Sequence, residues 1–369
     1  AKAMAKTDVS AADKALIDKL AAEFSDELNN LGVRVSNLER NADMVKWNGK
    51  AEYTYWSHRD KDTTDADKKK NDDQLLFRLE PSAEVNSNWH VKARLDASTD
   101  LAKDSDDSDA DTAHGGTQDT DVTLKRIWAQ GDYNNFQVKL GKFAQIDDDS
   151  IFDTTFSGAQ VAFGNKVTFT AGAGRLDVDG VKVSADEKAK TSTFNTTKLF
   201  TGEDTANYQY AGLGYADGKF VGGVDYHHLN ADKIHYLGAK ENSFDDTANI
   251  WLAKAAYQFD KTNGLNGFYA NNTSADDYDT AWSAQYNYKG AEAQNKGTWG
   301  AWAAYRYLGD NTALFSTFDA ILAGQKGWEV GANYAPFKNI VATLRYGNGK
   351  DLSSDNKIEN LFGRVEVFF

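Results

Sequence analysis

The sequence predicts an all-β transmembrane fold: an antiparallel up-and-down β-barrel of about sixteen strands, preceded by an N-terminal α-helical coiled-coil stalk. Three observations carry this prediction. Apolar residues recur at every second position along most of the chain, short turns alternate with long polar connections, and the last segment is amphipathic and ends at Phe369. Strands that face lipid on one side and a polar lumen on the other show this alternation over about 9 to 11 residues.

The composition excludes several other classes of protein. No apolar run among the 369 residues approaches the roughly 20 residues of a transmembrane helix, which excludes a helical membrane protein. Cysteine is absent, so disulfides, thiol nucleophiles and zinc-thiolate sites are excluded too. The formal net charge of −14 argues against nucleic acid as a partner. A soluble β-sandwich is the main alternative, because 20 Phe, 17 Tyr and 9 Trp could also fill a core.

The first predicted element is a helix within residues 1–44. From about Asp8 to Asn41 the chain has no proline, and its apolar residues alternate spacings of four and three, the heptad pattern of a coiled coil. One amphipathic helix packed on a domain would show the same pattern over a shorter run. We therefore predict a periplasmic stalk over 1–44 and a barrel over 45–369. The predicted seam consists of Ile17, Phe24, Leu28, Leu31, Val35 and Leu38.

The hydrophobic period changes to two from Lys46 onward. Between Trp89 and Leu101, apolar residues alternate with charged or polar ones over a dozen positions, about twice the usual length of a strand in a soluble sandwich. Such segments number about sixteen. The connection near 274–278 is shorter than the one near 290–296, against the general alternation, and this pair leaves room for a count two higher or lower.

The connections set the orientation of the predicted barrel. Tight turns are predicted near 87, 134, 165, 217–218 and 338, and long excursions at 176–204, 230–246 and 309–326. Short turns face the periplasm and long loops face outward in outer-membrane barrels. The first strand then starts on the periplasmic side, and an even number of strands returns the C-terminus to that side. The final strand, with apolar residues alternating up to Phe369, is similar to the terminal signal that outer-membrane assembly machinery reads.

The junction between stalk and barrel carries a family resemblance. A heptad helix through Leu31, Val35 and Leu38 runs directly into VKWNGKAEYTYW, and in this the whole chain resembles the OmpM-type outer-membrane porins of diderm Firmicutes. The resemblance implies a homotrimer of sixteen-stranded barrels, with the coiled coil rising from an S-layer-homology domain that binds peptidoglycan. Residues 1–6 could be at most the trailing end of that domain, so we expect peptidoglycan binding only through a domain absent from this chain.

The resemblance also implies a constriction, because the third long loop of general porins folds into the barrel. Here that loop is about 144–157, where Ile151, Phe152 and Phe156 could anchor acidic side chains against the lumen. The alternative interpretations are a solvated outer loop, and inward cations that merely pair with carboxylates to stiffen the wall. The predicted acidic set is Asp147, Asp148, Asp149 and Asp153. The predicted inward cations are Arg78, Lys92, Arg94, Lys139, Arg306, Arg345 and Arg364.

No catalytic or metal-binding pattern emerges from the residue spacing. The acidic run from Asp104 lacks the glycine and the bidentate glutamate of a calcium loop, so an EF-hand site is excluded. Loose binding of a divalent cation is the alternative left open for this run. His227 and His228 are neighbours on a strand and point to opposite faces, which disfavours joint metal binding. No nucleophile motif is found either. We therefore expect no cofactor, no metal and no enzymatic activity.

The function expected from barrel and resemblance together is passive diffusion of small polar solutes and ions across a bacterial outer membrane. The acidic net charge favours a weak preference for cations. The alternative is a mainly structural role, in which the barrel sits in outer-membrane lipid and the stalk tethers it to a peptidoglycan-binding domain. An outer-membrane hydrolase is a third alternative, but it needs a catalytic set that the sequence does not reveal.

Overall fold

The computed structural model describes residues 45–62, 69–101, 122–146, 150–178, 182–183, 197–200, 204–239 and 243–369. The predicted stalk with its seam lies outside the described residues, as do Asp147, Asp148 and Asp149, so these remain predictions. Within the described ranges, no helix is long and apolar enough to cross a membrane.

Sixteen antiparallel strands close into one barrel, which confirms the predicted count and fold class for this part of the chain. Strands β8 and β9 form a separate two-stranded sheet in the connection between β7 and β10, and all other neighbours follow chain order. Closure joins the first strand to the last, with Tyr53 opposite Val365. The strands are β1 (Val45–Asp60), β2 (Lys69–Glu84), β3 (Trp89–Asp100), β4 (Thr123–Asp132), β5 (Phe136–Phe143), β6 (Phe156–Gly164), β7 (Val167–Asp177), β8 (Lys182–Val183), β9 (Thr197–Lys198), β10 (Thr205–Asp217), β11 (Phe220–Ile234), β12 (Asp245–Gln258), β13 (Asn263–Asn272), β14 (Thr280–Lys289), β15 (Trp299–Leu308), β16 (Gln325–Phe337), β17 (Ile340–Asp351) and β18 (Lys357–Phe368).

The period of two appears in the wall as an apolar outer face and a polar inner face. Leu140, Leu344 and Trp251 are exposed on the outside, whereas inward residues such as Asp225 and Glu329 are almost fully buried. This is the reverse of a soluble protein and is typical of a barrel that lies in lipid. Exposed aromatic rings mark the turn end of the outer face, at Tyr215, Phe220, Tyr257, Trp299, Tyr334, Phe337 and Phe369.

Short and long connections alternate around most of the barrel, as predicted. At one end the strands are joined by turns, of which 218–219 and 338–339 are two-residue hairpins, and at the other end mostly by longer loops. The alternation fails at 290–298, which lies at the turn end and is longer than 273–279 and 352–356 at the loop end. Gly218 and Asn339 have positive φ values of 58° and 63°, the left-handed conformation that such tight turns require. Both the start of β1 and the end of β18 lie at the turn end, where the Phe369 amide donates to the Gly49 carbonyl at 3.1 Å.

Candidate functional site: the charged lumen

Two of the long connections fold back into the barrel. We call the described residues 144–146 and 150–155 the first inward loop and residues 309–324 the second inward loop. The first is the segment that the sequence analysis expected inside. The second was expected to extend outward as a long excursion, and the structure instead packs it against inward-facing side chains of β13, β15, β17 and β18.

The first inward loop is held by apolar side chains. Ile151 and Phe152 are fully buried, and the Phe152 ring centroid lies 4.9 Å from the His227 ring and 5.7 Å from the Tyr208 ring. The Tyr208 hydroxyl lies 2.6 Å from Nδ1 of His227, so the two wall residues are themselves joined. This loop therefore sits on the inner faces of β10 and β11.

A lysine holds the start of the same loop. Lys254 Nζ lies 3.1 Å from the Asp225 carboxylate and 3.3 Å from the Ile146 carbonyl, to which it donates a hydrogen bond. The loop is thus fixed at both ends, by a charged contact near Ile146 and by the buried Phe152 ring.

The second inward loop is held by charged and polar contacts as well as by the buried side chains of Leu314 and Ile321. Asp319 forms an ion pair with Arg345 at 2.8 Å, and the Ala320 carbonyl accepts a hydrogen bond from Asn360 at 2.9 Å. The Arg306 guanidinium lies 3.9 Å above the Phe318 ring, whose other neighbour is the stacked Phe268 ring. Burial raises the pKa of the Asp319 carboxyl above its usual range, although Arg345 and Arg364 oppose that change.

The two inward loops are joined to each other. The Phe315 amide donates to the Ile151 carbonyl at 2.9 Å, and the Asp153 amide donates to the Phe315 carbonyl at 2.6 Å. These bonds make a short parallel bridge between Phe152 and Phe315. A continuous backbone connection therefore crosses the lumen from one side of the wall to the other.

A cavity of about 1120 Å³ remains between the two loops and the wall. Its lining includes six residues of the predicted set, namely Asp153, Arg78, Arg94, Arg306, Arg345 and Arg364. Lys92 and Lys139 do not contact this cavity: Lys92 donates to Gln130 at 3.4 Å, and Lys139 lies 5.8 Å from the Phe143 ring centroid. In all, the described lining carries eight basic and five acidic side chains.

Ion pairs along the wall engage most of these cations. Asp96 pairs with Arg78 at 2.8 Å and with Arg94 at 3.0 Å. Glu52 pairs in the same way with Lys50 at 2.5 Å and Arg364 at 3.1 Å. These shared carboxylates hold neighbouring strands together, which is the wall-stiffening role that the sequence analysis considered as an alternative.

One ion pair is fully enclosed within the wall. Arg306 and Glu329 are 3% and 0% exposed, and their charged groups approach to 3.2 Å. The guanidinium also donates to Ser283 and Gln285, so each of its three nitrogens has an acceptor in the wall. Breaking such a buried pair leaves an uncompensated charge, which makes Arg306 a structural element as well as a lining residue.

Several lining residues were missed by the sequence analysis. Lys50 and Arg126 lie at inward positions of β1 and β4, so the period of two could have found them. Phe318 and Asp319 lie in a connection, where no periodic pattern marks which residues turn inward. The missed second inward loop is thus the main correction to the predicted site.

Solved structures share this architecture. A triple mutant of the Rh. blastica porin aligns with a TM-score of 0.51 and 13% identity over 88% of this chain and 100% of that one. Pseudomonas putida OprB aligns with a TM-score of 0.60 and 13% identity over 90% of this chain and 96% of that one. No protein-family model and no curated protein sequence matches the chain. The described part of the chain therefore has the sixteen-stranded barrel fold of these porins.

Proposed function

We propose that this protein is a passive diffusion channel for small hydrophilic solutes and ions across a bacterial outer membrane. One observation carries the proposal: a closed wall that is apolar outside surrounds a charged cavity of about 1120 Å³. A lumen lined by ionised side chains holds water, and water-filled barrels with inward-folded loops pass solutes by size and charge. The shared fold with solved porins supports the same function.

The finer parts of the proposal rest on the sequence. The heptad pattern before Val45 supports a periplasmic stalk and a homotrimer, as the resemblance to OmpM-type porins implies. The terminal alternation ending at Phe369 supports recognition by the outer-membrane assembly machinery. A tether to peptidoglycan through a further N-terminal domain is a compatible second role, and it depends on the same heptads.

The ion preference is the part of the proposal in which two features oppose each other. The net charge of −14 supports a weak preference for cations, whereas the described lining has eight basic and five acidic side chains. Charges on distant loops are screened beyond about 10 Å at 0.1 M salt, but charges that line the passage act on the ion directly. We therefore propose that a weak cation preference holds at low salt and fades as the salt concentration rises.

Planar-bilayer recording of the purified protein tests the proposal directly. We expect stepwise ion conductance. Reversal potentials measured in salt gradients should show that the preference for cations over anions falls as the mean salt concentration is raised. Liposome swelling with neutral sugars of increasing size gives an independent measure of solute passage. A correctly folded barrel, shown by heat-modifiable electrophoretic mobility, that conducts neither ions nor sugars would remove the channel proposal and leave the tether.

A further inference from the structure

We propose that three inward cations on adjacent strands, Lys92 on β3, Arg126 on β4 and Lys139 on β5, form a binding site for an oxyanion. We call these three residues the cationic patch. The proposed ligand is a small solute that carries carboxylate or phosphate groups. The inference rests on the proposed channel function, since the ligand reaches the patch through the lumen.

The cationic patch differs from the other lumen-lining cations because it has no ion-pair partner among the described residues. Arg78 and Arg94 share Asp96, Lys50 and Arg364 share Glu52, Lys50 also pairs with Glu366, and Arg306 has Glu329. In the part of the chain that the structure describes, no member of the cationic patch forms an ion pair. The positive charge of the wall is therefore concentrated at β3, β4 and β5.

The strand register places the three cations on successive inward rows of the wall. Arg126 is level with Arg94, Lys92 is level with Trp128 and Lys139 is level with Gln130, so Lys92 lies between the other two. Lys92 donates its hydrogen bond to Gln130. Lys139 is repelled by both Lys92 and Arg126. Three half-buried cations that repel one another cost free energy unless an anion joins them.

The Asp132 carboxylate attracts Lys92 and Lys139, but it forms no ion pair with either of them. Its oxygens accept hydrogen bonds from Gln130 at 2.8 Å and Gln137 at 2.6 Å, and His90 Nε2 lies 3.6 Å away. These contacts hold the carboxylate at the turn end of the strands.

The residue types indicate the class of ligand. A guanidinium offers a planar pair of donors that fits a carboxylate or a phosphate, and two ammonium groups add charge without fixing the geometry. Arg126 also lines the central cavity, so a solute in that cavity can reach it. Lys92 and Lys139 lie outside the lining of that cavity. A molecule with two or more oxyanion groups could extend from Arg126 toward a lysine, and we expect it to bind more strongly than a monoanion.

Block of the ion current measures the binding. Citrate and inorganic phosphate are added separately to single channels at low, constant ionic strength, and the current is recorded against concentration. We expect the anions to block the wild-type channel in a saturable manner. Citrate stronger than phosphate would identify polycarboxylates as the preferred source of the oxyanion, and the reverse order would identify phosphates. For Arg126→Gln combined with Lys139→Gln, we expect half-block to need about tenfold more anion.

Lys142→Gln is the matched control, because it removes one positive charge from β5 on the same side of the sheet as the exposed Ile127. The anions should block the Lys142→Gln channel at the same concentrations as the wild-type channel. Equal block in wild type, control and double variant, or no block in any of them, would overturn the cationic patch as a site. Conductance in salt alone, recorded before the anion is added, tests the channel itself, so failure of the two proposals can be distinguished. Heat-modifiable mobility of each variant shows whether its barrel is folded.

Discussion

The two inward loops reach the same lumen with different sets of contacts. The first inward loop inserts the apolar residues Ile151 and Phe152 between itself and the wall. The second buries Leu314 and Ile321, and it adds buried amides and the Asp319 ion pair. A buried polar network stabilises a structure only when its members are all satisfied. The first loop should therefore depend on one ring, and the second on its weakest hydrogen-bonding member.

Asn311 is the centre of the polar network. It is fully buried, and its Nδ2 donates to the Leu237 carbonyl at 2.9 Å and to the Asp277 carbonyl at 2.6 Å. Its Oδ1 accepts from the Leu237 amide at 2.9 Å. Its backbone carbonyl accepts from Asn272 at 2.7 Å, so a strand end joins the same network. One side chain thus ties together the connections after β11, β13 and β15.

Truncation of the apolar anchor should have the largest effect. Phe152→Ala removes the ring that packs on Tyr208 and His227, and a buried Phe→Ala change costs about 3 to 5 kcal/mol. We expect that cost to appear as release of the first inward loop, because the wall keeps its own hydrogen bonds. Single-channel recording should show a larger unitary conductance with more open-channel noise than in wild type.

Phe163→Ala is the control for that experiment, because Phe163 is 48% exposed on the outer face of β6. It removes the same ring from the outside of the barrel and should leave the conductance unchanged. If Phe152→Ala also leaves conductance and noise unchanged, the apolar ring does not hold the loop. The proposed difference between the two loops would then be wrong for the first inward loop.

Loss of the amide should have an intermediate effect. Asn311→Ala leaves backbone groups of Leu237 and Asp277 without their partner, and each buried polar group left unsatisfied costs about 1 to 3 kcal/mol. We expect a lower unfolding temperature and faster protease cleavage in the connections 235–239 and 273–279. The conductance should change less than in Phe152→Ala, because the Asp319 ion pair still holds the far part of the second loop.

Asn230→Ala provides the comparison, since Asn230 makes one side-chain hydrogen bond, to the Asp246 carbonyl at 3.0 Å, in an exposed position. Its unfolding temperature should stay close to that of wild type. Equal unfolding temperatures and cleavage rates for the two variants would show that the Asn311 network is not what fixes the loops.

The same contrast explains how much the sequence could predict. The strands, their number and the alternation of turns and loops follow from the period of two, which is a local property of neighbouring residues. The inward position of the first loop was implied by the resemblance to porins, and Ile151, Phe152 and Phe156 were the residues that could anchor it. Asn311 and Asp319 look like ordinary loop residues, because their partners lie in other strands and connections. Only the closed barrel brings those partners together.

The charged lining shows the same limit. The alternation of side chains along the strands predicted that five arginines face inward, and all five line the cavity: Arg78, Arg94, Arg306, Arg345 and Arg364. Which carboxylate each cation meets depends on strand register, as with Asp96 between Arg78 and Arg94. A cation without a partner can be recognised only after that register is known. For this reason the cationic patch was not distinguishable from the rest of the basic wall in the sequence.

The smallest expected effect concerns the charge of the second inward loop. Asp319 lies 2.8 Å from Arg345 and 4.0 Å from Arg364, so its carboxylate masks two cations of the lining. Because burial raises the pKa of Asp319, the carboxyl takes up its proton at a higher pH than an ordinary aspartate as the pH falls. The loop then loses one negative charge while both arginines keep theirs. The lumen should become more attractive to anions.

Reversal potentials of wild type and Asp319→Asn across a falling pH series measure this change. Wild type should shift toward anions at a pH above the range in which ordinary carboxyls titrate. The variant should start with that shift at neutral pH and show no further change in the same interval, because its amide cannot be protonated there. Glu52 and Glu329 also act on Asp319, and both remain in the variant, so any titration of theirs would appear in both proteins. Superimposable pH curves would mean that Asp319 does not control the charge of the passage, and that its ion pair serves only to hold the loop.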